Sequence, residues 1–152
     1  MRKTIIVDII SSLYIILFLY TGIYKLLGQE YFKAALHKSP LISNYVDVIA
    51  IAIPTLEVLI ALALLIPFFV QAPRSRKWGL YTGTVLMAIF TLYVGYMLKF
   101  YSGLPCSCGG IIQKMNWHQH FYFNTGFTFL GFLAIWLNNR QFKSAQNNMV
   151  FS

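Results

Sequence analysis

Cys106 and Cys108 are the only two cysteines of the chain, and they stand one residue apart in the stretch 104–110, LPCSCGG. The reactive form of cysteine is the thiolate, which forms more readily beside positive charge or oriented backbone amides. Two cysteines this close in sequence bridge only where the backbone bends sharply, because their α-carbons must come within about 6.8 Å. Such a small ring is strained, and strained exposed disulfides exchange readily with incoming thiols. Pro105 before the pair and Gly109-Gly110 after it supply the bend and the permissive backbone angles. Residue type and spacing therefore point to a thiol–disulfide exchange centre. The plainer alternative is two inert thiols, or a bridge that only fixes the loop.

Cys106, Cys108, His118 and His120 would also make an S2N2 set of the kind that holds zinc. The spacing argues against it. Zinc-binding cysteines usually stand two to four residues apart, and histidines two apart on a helix point to nearly opposite sides. No metal is assigned. One of the two histidines could instead lower a cysteine pKa or relay a proton, which imidazole suits near neutral pH; an interfacial histidine bonded to water or lipid is the bland reading.

Two further ionisable residues stand inside apolar runs. Glu57 lies about 14 Å into its run at 1.5 Å per helical residue, a costly depth for a charge unless it meets a partner or water. Lys25, late in the first run, is the nearest candidate by depth, since its long stem can reach inward. The pair can serve structure or proton handling. Pro54, one turn before Glu57, should kink that helix and free a carbonyl. Asn124 suits an interhelical hydrogen bond, and Gly79, Gly83, Gly126 and Gly131 suit close packing between helices.

The elements that must position these groups are long apolar runs at about 5–27, 46–70, 78–100 and 121–137, separated by polar segments. Each is about 17–25 residues, the length a helix needs to cross hydrocarbon. The alternating ten-residue segments of a membrane barrel are absent. Between the first two runs, Tyr31, Phe32, Ala35 and Leu36 fall at helical spacing, which predicts a short interfacial helix ended by Ser39-Pro40. Residues 71–77 read as a linker, 101–120 as the cysteine loop, and 139–152 as a loose polar tail. The fold expected is an all-α, integral membrane four-helix bundle in one domain of 152 residues.

Composition agrees. The chain is 58% apolar and only 11% charged, with a mean hydropathy of +0.63, whereas soluble domains run near 25% charged. Its net charge of +8 comes from 12 Lys and Arg against 4 Asp and Glu. The basic residues lie beside apolar runs, so they set topology and meet lipid head groups; nucleic acid is not the expected partner. The basic start and first run resemble a signal peptide but lack a small-x-small cleavage site, which predicts an uncleaved span. With the N-terminus inside, Arg2, Lys3, Arg74, Arg76, Lys77, Arg140 and Lys143 face the cytoplasm, against Lys33, Lys38 and Lys114 outside. Both termini are thus expected in the cytoplasm and the cysteine loop in an oxidising compartment. Tyr14, Tyr20, Trp78, Tyr101, Trp117 and Trp136 are candidates for an aromatic belt at the membrane surfaces.

TGIYKLL in the first run, IPTLEVLIALALLI in the second, and PCSCGG followed by Trp117, His118 and Asn124 resemble the MauE/DoxX-type membrane proteins. The likeness covers Tyr14 to Leu137. It implies a four-helix bundle in the bacterial cytoplasmic membrane, associated with redox chemistry. MauE-like members are linked to disulfide formation and maturation of periplasmic proteins, DoxX-like members to quinone-dependent oxidation of sulfur compounds. By this resemblance Cys106 and Cys108 match the C-x-C element, and Lys25 and Glu57 match polar positions within the helices. The loop motif of the MauE type reads closer to CGCFG, from which Ser107 and Gly109 depart. The function expected is membrane thiol–disulfide exchange with a periplasmic thioredoxin-like or maturing protein, in which a mixed disulfide is resolved by the second cysteine. Quinone is the candidate carrier, by analogy alone. The alternative is a non-catalytic membrane subunit or assembly factor of a larger complex. A transporter is disfavoured, since four runs without a repeat make a poor alternating-access machine.

Overall fold

The computed structural model describes residues 2–37, 39, 42–70, 73–100 and 117–150. Among these the chain is helical throughout: α1 (Arg2–Leu27), the short α2 (Gln29–His37), α3 (Val46–Phe69), α4 (Pro73–Phe100) and α5 (Trp117–Val150). A single 3-10 turn, Ser43–Tyr45, leads into α3. The long helices contact one another in the order α1–α3–α4–α5 and back to α1, closing a ring around one interior.

Three of these helices are long and apolar enough to cross a membrane: Ile5–Leu27, Ser43–Phe69 and Arg74–Phe100. The run at 121–137, expected as a fourth span, falls short on composition. Asn124, Thr125 and Thr128 interrupt it, and Tyr122 and Trp136 add bulk with little hydropathy.

Burial is inverted relative to a water-soluble protein. Ile16, Leu59 and Leu92 point outward, while Ser11, Lys25, Glu57, Thr84 and Asn124 point inward. In lipid this arrangement is the stable one, because an apolar solvent accepts aliphatic side chains and excludes polar ones. The chain is a multi-pass membrane protein.

The interior is layered. One half is a hydrophobic core of Val7, Ile10, Tyr14, Phe18, Ile60, Leu64, Leu80 and Met87 with Ala134 and Leu137 of α5. Tyr14, expected in the aromatic belt, is instead fully buried in this core and donates to the Phe127 carbonyl at 2.7 Å. Tyr20, Trp78 and Trp136 remain exposed. At the other end α2 folds back on α3, seating Phe32 and Leu36 against Val46 and Ala50. Gly28 separates α1 from α2. The predicted interfacial helix is thus present; Tyr31, placed on its apolar face by spacing, is exposed.

Prolines shape the rest. α3 runs unbroken through Pro54 and Pro67. Pro67 has no N–H for the Ala63 carbonyl four residues earlier. The Ser75 hydroxyl donates to that carbonyl instead, at 2.6 Å, which ties the start of α4 to the end of α3. Residues 73–77, expected as linker, are therefore the first turn of α4. Its opening residue is Pro73, whose fixed φ and missing N–H suit a first helical position. Of the expected loose tail, 139–152, the part up to Val150 is helical as the last stretch of α5, and 151–152 lie outside the described residues. No proline interrupts 117–150, and residues 140–146 are mostly good helix formers.

Candidate functional site

The polar interior begins with a glycine. A Cβ on Gly22 would sit 3.0 Å from the Pro54 carbonyl oxygen and 3.3 Å from the Glu57 Cβ. Without one, α1 and α3 approach closely enough for their side chains to meet across the seam. Thr21 and Lys25, four residues apart, share the face of α1 that looks at Glu57. Lys25 Nζ lies 2.6 Å from Glu57 Oε1. Thr21 Oγ1 lies 3.2 Å from Glu57 Oε2 and 2.9 Å from the Leu17 carbonyl, so its one proton serves two acceptors.

The pair is enclosed. Glu57 is 1% exposed and Lys25 5%. The ammonium also lies 5.1 Å from the Phe90 ring centroid on α4 and 5.5 Å from that of Phe32 on α2, within cation–π range of both. Four elements thus close over one ion pair. Burying two charges costs several kcal/mol each, roughly, and is sustained only when partners satisfy them, as carboxylate, hydroxyl and ring faces do here.

Above this level Tyr93 Oη donates to Ser39 Oγ at 2.9 Å, fixing the turn after α2 against α4. On α5, His120 and Asn124 are both buried and continue the inward face that includes Gly131 and Ala134. Two observations place them near the pair's level. The Thr91 and Thr128 hydroxyls meet at 3.1 Å, and a Cβ on Gly95 would touch the Phe121 ring at 3.1 Å. Phe90, over the Lys25 ammonium, therefore lies opposite this first part of α5.

His118 is exposed and His120 is 7% exposed, so the two histidines point to different surroundings, as their spacing requires. Among the described residues His120 Nδ1 has no hydrogen-bond partner, and no group of three or more His, Cys, Asp or Glu comes together. Cys106 and Cys108 lie outside the described residues. The segment that carries them, 101–116, joins Phe100 of α4 to Trp117 of α5.

Sequence reasoning put Lys25 and Glu57 at compatible depths but missed the rest of the enclosure. Thr21, four residues before Lys25, carried a readable signal through helical spacing. Phe32 and Phe90 carried none, because only the chain's path brings them over the ammonium. Of the four glycines expected at close contacts, Gly79, Gly83 and Gly131 are at them. Gly126 is not, for a Cβ there would meet nothing within 4 Å.

No curated protein and no solved structure matches the chain. A family model does: that of the methylamine utilisation protein MauE matches residues 3–137, nearly the whole chain. The DoxX side of the resemblance is not shown. With a polar interior set in an inverted membrane fold and a match of this length, the chain belongs to the MauE family.

Proposed function

We propose that this chain is a four-span protein of the bacterial cytoplasmic membrane that exchanges disulfide for thiol through Cys106 and Cys108. Its termini lie in the cytoplasm and its cysteine segment on the periplasmic side. α5 serves as the fourth span. It carries no charged residue between Phe121 and Asn139, packs against α1 and α4, and turns Phe129, Phe132 and Leu133 outward as the other helices turn their aliphatic residues. The orientation rests on the seven-to-three division of basic residues.

The observation that carries the reading is the placement of the only two cysteines. They stand one residue apart in the sequence, between the end of α4 at Phe100 and the start of α5 at Trp117. The chemistry balances as follows. A thiolate of a thioredoxin-like or maturing periplasmic protein attacks one sulfur of the Cys106–Cys108 disulfide, and the other sulfur leaves as a thiolate. The partner's second thiol then resolves the mixed disulfide, leaving the partner oxidised and the pair reduced. In the reverse direction the chain's own second cysteine resolves it. The reduced pair regains its disulfide by giving two electrons and two protons to a two-electron membrane carrier, for which quinone is the candidate. In the first turn of α5, His120 has a buried nitrogen to offer such a carrier. Lys25 and Glu57 tie α1 to α3.

Single replacements, Cys106→Ser and Cys108→Ser, test the exchange. Each should abolish turnover, and one of them should accumulate a covalent complex with the partner that reductant releases. Intact partner assembly and activity in the doubly replaced protein would favour the alternative, a non-catalytic subunit whose cysteines only fix the loop.

A further inference from the structure

A second polar feature stands at the opposite end of the bundle, and neither the cysteines nor the buried pair uses it. There α4 and α5 are joined by Asn139, whose Nδ2 donates to Tyr81 Oη at 2.9 Å. Lys77, one turn before Tyr81, holds its Nζ 6.0 Å from the Tyr81 ring centroid. Arg140, next to Asn139, stacks its guanidinium 3.9 Å from the Trp136 ring centroid. Two exposed cations thus flank one hydrogen-bonded seam, with exposed Arg74 a turn away on α4.

Among the described residues nothing acidic answers them. Of the four acidic residues, Glu30, Asp47 and Glu57 belong to α2 and the first half of α3, toward the other end. Asp8 is already held by Arg76, Nη2 to Oδ1 at 2.8 Å. A guanidinium stacked on an indole keeps its edge donors available, in a fork that matches phosphate. Below the seam the outward faces are apolar, with Val85, Phe132 and Leu133 exposed beside Trp78 and Trp136. Cations at the rim, indoles at the boundary and aliphatic surface beneath reproduce the order of a phospholipid from headgroup to chain.

We propose that the α4–α5 seam at Lys77 and Arg140 binds an anionic phospholipid, its phosphate between the two cations and its acyl chains along Phe132 and Leu133. The apolar lower half commits the site to a lipid rather than free phosphate. This inference is independent of thiol exchange.

Native mass spectrometry of the full chain, purified with phosphatidylglycerol or phosphatidylcholine, tests it. The wild type should retain phosphatidylglycerol selectively. Lys77→Gln and Arg140→Gln should each weaken retention about fivefold, and together about 25-fold, with helical content unchanged by circular dichroism. Lys77→Arg should retain the lipid. Lys99→Gln, which removes an exposed cation near the other end of α4, should have no effect. Equal loss on Lys99→Gln, no preference over phosphatidylcholine, or displacement of the lipid by inorganic phosphate would each overturn the site.

Discussion

Glu57→Gln should destabilise the protein by about 3 kcal/mol, the lower end of the cost of removing one partner from a buried ion pair. The substitution keeps the shape of the side chain and an oxygen for Thr21, but leaves the Lys25 ammonium buried opposite a neutral amide. Two effects hold the penalty at the lower end. The Phe32 and Phe90 faces keep part of the attraction, and the long lysine stem can swing toward the end of the bundle. Lys25→Met should cost a similar amount, because it strands a carboxylate that is 1% exposed. The double variant Lys25→Met/Glu57→Leu should come back to within about 1 kcal/mol of wild type, since apolar residues of similar volume often replace a buried pair without loss. Unfolding in detergent micelles measures all three. Single variants that unfold with the wild type would mean that the pair is solvated rather than enclosed.

Gly131→Val should cost about 3–4 kcal/mol, and Gly131→Ala about 2 kcal/mol, through overpacking and the loss of a buried hydrogen bond. A Cβ at this position collides with Thr84 Oγ1 and Tyr14 Oη, and comes within 2.9 Å of Thr84 Cγ2. Neither neighbour can yield. Tyr14 is 0% exposed, held by the Phe127 carbonyl at 2.7 Å and set edge-on to Phe18, with ring centroids 5.5 Å apart. Thr84 is bonded to the Leu80 carbonyl at 2.7 Å. Gly126→Ala on the same helix is the control. It meets no atom within 4 Å, so it should be neutral or stabilising by up to about 1 kcal/mol through helix propensity. Tyr14→Phe should relieve part of the Gly131→Ala penalty by removing one colliding oxygen. Additive effects of the two substitutions would contradict the geometry.

Much of the fold was legible because lipid imposes length. A run must reach about 20 apolar residues to cross, and α1, α3 and α4 announce themselves that way. Ends were harder. Pro73 reads as a linker residue until one sees that a first helical position has no use for its missing N–H. Ser75 reads as polar loop until Pro67 is found to have freed the Ala63 carbonyl. By hydropathy α5 falls short of a span, because its surface is aromatic rather than aliphatic and its inward stripe carries His120 and Asn124.

The buried pair shows the same division. Depth along each helix is a one-dimensional quantity, so Lys25 and Glu57 could be matched from sequence. Enclosure depends on how α2 folds back and how α4 rotates, and those choices place Phe32 and Phe90. The assignment of Tyr14 to a membrane surface failed for a related reason. Tyrosine is amphipathic in either setting, and only the Phe127 carbonyl within reach made the core the better place for it.

The central claim is that Cys106 and Cys108 form a redox-active pair open to the periplasmic side. Differential alkylation in native membranes, with a thiol reagent that cannot cross the bilayer, applied before and after mild reductant, addresses it directly. The account predicts two protected sulfurs in the oxidised membrane, and labelling of both from the periplasmic face once reductant is added. Labelling that occurs only from the cytoplasmic face, or two sulfurs that stay reduced throughout under oxidising conditions, would contradict it.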